Sequence, residues 1–150
     1  KSGDQVKLDH TLINVLSPRN ISRDDENKNS LIFTIFQNGT SFMFTGDADS
    51  EMEKEVLAHY RLPRCIYLKT GHHGSKTASC DEFIGTIRPQ MASISCGYKN
   101  KYGHPHQETL DTFKKYQVQT FRTDLNGDMV FYFDVRNTKK IYSKRKYLLE

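Results

Sequence analysis

Short apolar runs broken by polar punctuation organise this chain. Residues 12–16 read as a strand that stops at Ser17-Pro18, and residues 20–29 are polar and charged with no apolar period. Residues 31–37 and 41–45 read as two strands joined at Asn38-Gly39, a pair suited to the positive backbone angles of a tight hairpin turn. Across residues 49–60, Met52, Val56, Leu57 and Tyr60 recur at helical spacing. The early acidic residues of that stretch suit the positive end of a helix dipole. Residues 65–69 form a continuous apolar run of the buried-strand kind, and residues 71–75 a sharp polar turn. The pattern then predicts a short helix over 81–87, stopped before Pro89, a strand over 91–95, and a helix over 107–116 with Leu110 and Phe113 facing inward. Residues 118–123 and 129–134 read as strands joined through Asn126-Gly127, a second hairpin signal.

The predicted order is three strands, helix, strand, helix, strand, helix and a terminal hairpin. Alternating strands and helices of this kind make an α/β sandwich with helices on the sheet faces. Composition agrees with one core-bearing unit: 36% of the 150 residues are hydrophobic and 27% charged. The longest apolar runs, such as Leu31-Ile32-Phe33, fall far short of the ~20 residues that span a bilayer. No signal-peptide pattern opens the chain, and Lys1-Ser2-Gly3-Asp4 reads as the interior of a longer protein. These features give the expectation of a soluble piece.

Charge refines the picture. The formal charge is +4, but residues 1–75 hold 9 Lys+Arg against 10 Asp+Glu, and residues 76–150 hold 13 against 8. Arg136, Lys139, Lys140, Lys144, Arg145 and Lys146 concentrate the excess, so residues 136–150 are set apart as a basic tail after a domain over 1–135. Such a tail suits a polyanion, either nucleic acid or an anionic membrane, and equally a solvated end. Cys65, Cys80 and Cys96 form no CxxC pair. They are expected as small buried residues, neither a zinc knuckle nor a disulfide framework.

Three polar motifs follow predicted strands. Phe44-Thr45-Gly46-Asp47 places a carboxylate where a sheet edge can present it, although a turn Asp needs no other role. Lys69-Thr70-Gly71-His72-His73-Gly74-Ser75 places adjacent imidazoles between glycines, which let a ring point at an ion. The stretch 97–106, with Lys99, Lys101, Tyr102 and His104, supplies cations, rings and donors for phosphate contact, or is an ordinary surface loop. Active sites of open α/β sheets gather side chains from several strand ends. Asp with His at one rim suits Zn²⁺ or Mn²⁺, which acidifies bound water and polarises a phosphoryl group.

The FTGDA of residues 44–48 and the LKTGHHGSKTAS of residues 68–79 resemble the metallo-β-lactamase domain of ComEC-type DNA-uptake competence proteins. Gly3-Asp4, Leu16-Ser17-Pro18-Arg19, Asn29-Ser30-Leu31, Asn100-Lys101-Tyr102-Gly103-His104-Pro105 and Arg122-Thr123-Asp124-Leu125-Asn126-Gly127 extend the likeness in order. The resemblance implies the C-terminal half of an αββα sandwich, a mixed sheet with helices on its outer face. It implies Asp47 as a metal-bridging carboxylate and His73 as a metal ligand, both catalytic, with His72 a second candidate ligand or a phosphate-facing neighbour. Ser75, Lys76 and His104 would line the substrate side, and Lys99, Lys101, Tyr102 and Arg122 would hold DNA. The signature HxHxDH motif of that superfamily is absent from this sequence, and His10 and His59 stand isolated. The implied parent is a membrane-anchored DNA-uptake protein whose metal-dependent nuclease domain faces outward. The expected partners are DNA, single-stranded and read without sequence preference, and the upstream half of the same domain. An exposed sheet face would also allow a homodimer. Rival readings are another phosphodiesterase of this fold, such as one acting on phosphocholine esters, and a non-catalytic DNA-binding module.

Overall fold

In a computed structural model of the chain, residues 1–133 are described in full and residues 139–144 by their backbone. Seven strands form one mixed sheet: β1 (Gln5–Leu8), β2 (Thr11–Ser17), β3 (Ile32–Gln37), β4 (Thr40–Phe44), β5 (Tyr67–Lys69), β6 (Met91–Ile94) and β7 (Gln119–Arg122), lying in sequence order. The first four pair antiparallel, and Asn38 and Gly39 turn the β3–β4 hairpin with φ of 50° and 76°. From β4 onward the pairing is parallel. Parallel neighbours need a crossover, and three helices supply it: α1 (Ser50–His59), α2 (Asp81–Ile87) and α3 (Gln107–Lys115). Four strands, β4 to β7, therefore end on the same edge of the sheet, and each sequence motif leaves from one of those ends.

Helices α1 to α3 cover one face. Asp49 caps α1 by accepting from the backbone N–H groups of Glu51 and Met52, both at 3.0 Å. Met52 and Val56 then meet Phe83, Ile84 and Ile87 of α2, Phe113 of α3, and Leu16, Ile32, Met43, Leu68, Ala92 and Ile94 of the sheet. Each large apolar side chain buried here contributes roughly 1.5–3 kcal/mol. One carboxylate sits inside this layer. Glu53 is 1% exposed and accepts from the N–H groups of Ser79 at 2.7 Å and Cys80 at 2.8 Å, which ties α1 to the entry of α2.

The opposite face is aromatic. Phe33 stacks on Phe44 with ring centres 4.8 Å apart. Strand β8 (Asp128–Phe133) lays Phe133 against Phe42 at 5.0 Å, and Phe131 against Tyr67 at 5.0 Å and Phe121 at 5.3 Å. The sheet face expected to lie bare is thus partly covered by the chain's own β8, whose Val130 and Tyr132 point to solvent.

The end of the chain departs from the predicted hairpin. Strand β7 pairs with β6, and β8 pairs antiparallel with β9 (Lys139–Lys144) instead of with β7. Asn126-Gly127 closes a one-turn helix, α4 (Thr123–Asn126), with the Gly127 N–H donating to Thr123 O at 2.9 Å. The chain instead leaves the β7 edge through α4, so that β8 lies against the aromatic face and takes β9 as its partner. The boundary at 135, with residues 136–138 and 145–150 of the basic tail, lies outside the described residues, whereas the tail's Lys139–Lys144 is a strand. The sequence pattern missed β1, because all four of its residues are exposed and none marks a buried face. Among the described residues, no helix is long and apolar enough to cross a membrane.

Candidate metal site and adjoining cavity

The loops after β4 and β5 are locked together. The His72 N–H donates to Gly46 O at 3.0 Å, and the Thr45 hydroxyl donates to Lys69 O at 3.1 Å. A Cβ on Gly71 would stand 2.9 Å from Thr45 Oγ1, so the two turns approach to a distance only glycine permits. Asp47 itself is held by its N–H, which donates to Ser30 Oγ at 3.1 Å. His72 and His73 both occupy left-handed backbone conformations, with φ of 43° and 54°. Consecutive non-glycine residues in that region are strained, and such strain persists where the surroundings hold it in place, often at functional sites.

The strained turn sets the two imidazoles apart. His73 Nδ1 donates to Ser95 O at 2.7 Å, and its Nε2 lies 3.6 Å from Asp47 Oδ1. A ring fixed through one N–H to a backbone carbonyl offers the lone pair of its other nitrogen, which is how metal-ligating histidines are oriented. His72 turns the other way. Its Nδ1 is buried with no protein partner, and its ring meets the edge of His104 at 5.9 Å. His104 in turn contacts His106 at 4.9 Å. Burial pulls the His104 pKa below its ordinary value, and the neighbouring His106, His72 and His73 push the same way.

The loop after β6 closes over this edge. His106 N–H donates to Gly74 O at 2.9 Å, and the Thr109 hydroxyl reaches Ser75 O at 3.0 Å. Gly74, at φ 81°, leaves room for Pro105, whose Cβ would be 2.6 Å from an added methyl. Asn100 holds the loop from within. Its amide donates to Gly97 O at 2.9 Å and His104 O at 2.6 Å, and its carbonyl accepts from the N–H groups of Tyr102 at 3.2 Å and His104 at 3.0 Å. A cavity of about 380 Å³ lies between this loop and the strand ends, with His73, Cys96, Asn100, Tyr102, His104 and Thr123 among its lining. Thr123 locks its floor, accepting from Cys96 N–H at 2.8 Å and donating to Cys96 O at 2.7 Å.

Asp47, His73 and His72 thus share one edge with Tyr102 and His104. The other sequence-selected residues sit differently. Ser75 is buried and its hydroxyl pairs with Thr77 Oγ1 at 3.0 Å. Lys76 is exposed, and its N–H donates to His106 Nδ1 at 3.3 Å. Lys101 lies over the Tyr102 ring at 5.0 Å, beside the cavity, while Lys99 lies over Tyr98 at 5.4 Å. The Arg122 guanidinium is engaged by Asp124 through two bonds, of 3.0 and 2.6 Å. Burial alone would raise the Asp124 carboxyl, but Arg122 and the Cys96 thiol outweigh it and hold it below the carboxylate range. Arg122 therefore meets any anion with its charge largely spent.

Sequence reasoning passed over Asn100, Cys96, Thr123, Asp124 and Lys69 as builders of the site. All five lie within or beside the quoted motifs, where each strand end hands its chain to the rim. Lys69 is half-buried and donates to Thr70 O at 3.2 Å, with burial drawing its amine pKa down against the pull of Asp47. Among the described residues, no group of three or more His, Cys, Asp and Glu side chains is arranged to hold a metal ion.

No family model matches the chain. It is 35% identical over 136 residues to ComE operon protein 3 of Bacillus subtilis (strain 168), covering 91% of this chain and 18% of that protein. Competence protein ComA of Neisseria gonorrhoeae is 31% identical over 118 residues, 77% of this chain and 17% of ComA. Recombination protein 2 of Haemophilus influenzae is 30% identical over 115 residues, 77% of this chain and 14% of the relative. Its homologues are competence proteins of the ComEC type, and this chain spans less than a fifth of the length of each of these three relatives.

Proposed function

We propose that the chain is the C-terminal half of a metallo-β-lactamase-type domain that hydrolyses DNA phosphodiesters in a competence DNA-uptake protein. The observation that carries this is the pair Asp47–His73, brought to 3.6 Å from two strand ends with the far nitrogen of His73 fixed by Ser95 O. The pair suits Zn²⁺ or Mn²⁺ in donor type. A catalytic zinc site takes three protein ligands and an open position, so the remaining ligands come from an upstream half carrying HxHxDH. A bound divalent ion would supply an acidified water and neutralise phosphoryl charge. The chain's own residues would place the substrate: Tyr102 and His104 line a cavity with His73, Lys101 lies over the Tyr102 ring, and His72 holds an imidazole nitrogen with an unmet bond. In the longer protein this domain would stand on the extracytoplasmic side of a membrane anchor.

The test is calorimetric titration of Mn²⁺ and Zn²⁺ into the 150-residue chain, and into a longer chain that includes the preceding region. Weak, sub-stoichiometric binding to the first and tight binding to the second, both lost on Asp47→Ala, are expected. Metal-dependent cleavage of DNA by the longer chain alone completes the expectation. A longer sequence without HxHxDH, or cleavage indifferent to chelation, overturns it in favour of a non-catalytic DNA-binding module. A preference for small phosphocholine esters over DNA would instead select the other phosphodiesterase reading.

A further inference from the structure

The cavity beside the candidate metal pair is built in advance and shares His73 with it. Its outer wall is a pair of near-parallel rings, Tyr102 and His104, 5.7 Å apart at 27°. The Lys101 ammonium lies 5.0 Å from the Tyr102 ring centre. Asn100 uses both its amide hydrogens and its carbonyl to hold the loop, so the wall needs no ordering when a ligand enters. The floor, Cys96–Thr123, is closed by internal hydrogen bonds and offers few free polar groups. A site edged by stacked aromatic rings, with a cation over one of them, suits a planar ring next to an anion.

From this geometry we infer that the cavity receives one nucleobase of a DNA strand, stacked on Tyr102 with Lys101 on the adjoining phosphate. This deepens the proposed phosphodiester reading and rests on it, since the cavity shares His73 with the candidate metal pair. It also divides the two tyrosines of the loop. Tyr102 lines the cavity, whereas Tyr98, 57% exposed and paired with Lys99, is not among its lining residues. Base stacking on an aromatic ring is sequence-tolerant because every base has a π-face. A cavity of about 380 Å³ falls in the usual range for small-ligand sites.

The experiment measures binding of labelled hexathymidylate to the chain in EDTA, where metal plays no part, by fluorescence anisotropy. Tyr102→Ala should weaken binding by about 5- to 100-fold, and Tyr102→Phe should keep it within about 2-fold. Tyr98→Ala should leave it unchanged, and a strand with abasic sites should bind as weakly to the unaltered chain as hexathymidylate does to Tyr102→Ala. Tyr102 is 64% exposed, and far-ultraviolet circular dichroism verifies that each variant is folded. Equal loss from Tyr98→Ala and Tyr102→Ala, undiminished binding of the abasic strand, or no saturable binding of hexathymidylate each overturns the assignment. Failure of the metal titration with these results intact would remove the hydrolase and leave the base site standing.

Discussion

His72 and His73 are neighbours with opposite fates, and the backbone decides which is which. Two successive left-handed residues rotate the second ring toward Asp47 and the first toward His104. On the proposed reading, Asp47→Ala in the longer domain loaded with metal should lower cleavage by about 100-fold or more, since it would remove a donor whose charge stabilises the ion. His73→Ala should be as damaging, and His72→Ala distinctly less so, in single-turnover cleavage assays with saturating Mn²⁺. Greater loss from His72→Ala would exchange the two roles. Gly74 supplies a stability counterpart. Its φ is 81°, and a methyl added there would meet Pro105 Cβ at 2.6 Å, so Gly74→Ala combines backbone strain with overpacking. It should cost about 2 kcal/mol or more in urea unfolding. A loss below about 0.5 kcal/mol would mean that the His104–Pro105 loop does not depend on that close approach.

At the scale of elements, one carboxylate couples α1 to the loop that follows the histidines. Burial raises the Glu53 pKa from 4.5 to about 7, against the opposing pull of the Cys80 and Ser79 N–H groups. The folded state therefore binds this proton more tightly than the unfolded chain. Its stabilising contribution is full below about pH 4.5 and is lost as pH rises through about 7. Glu53→Gln should flatten that part of the stability profile, by at most about 3.5 kcal/mol over the interval. Denaturation at a series of pH values checks it, and an unchanged slope would show Glu53 to titrate normally. Local patterning made most elements legible: the β3–β4 hairpin, α1 with its acidic start, and the buried β5 all carry their own signals. The β8 register and α4 did not, because Asn126-Gly127 serves a helix end as well as a hairpin. What decides between them is long-range: β8 packs on the aromatic face of the sheet and pairs with β9. The candidate site was legible where a carboxylate and paired imidazoles follow strands beside glycines, at Asp47 and the histidine pair. It was not legible at Asn100 and Thr123, whose roles consist of backbone bonds that no residue pattern announces.

For the whole molecule, the proposed reading turns on which positive charges would meet DNA. Lys101 borders the cavity, Arg122 is engaged by Asp124, and the basic end contributes at least one strand, β9, that pairs with β8. Phe131 and Phe133 of β8 cover the aromatic face, so removing residues 136–150 would strip β9 and disturb that cover as well as remove charge. Neutralisation is the cleaner separation. Binding of single-stranded DNA should be weak and indifferent to sequence, and its logarithm should fall with log salt by about 0.7 per phosphate contact. Lys99→Gln with Lys101→Gln should reduce that slope by about 0.7, one contact, because Lys99 sits over Tyr98 away from the cavity. Lys139→Gln, Lys140→Gln and Lys144→Gln together should lower affinity for any polyanion, heparin included, without changing the preference for normal over abasic strands. If those three tail changes abolish all binding while the loop changes do nothing, the rim does not contact DNA. The tail alone would then account for binding, as unselective polyanion attraction.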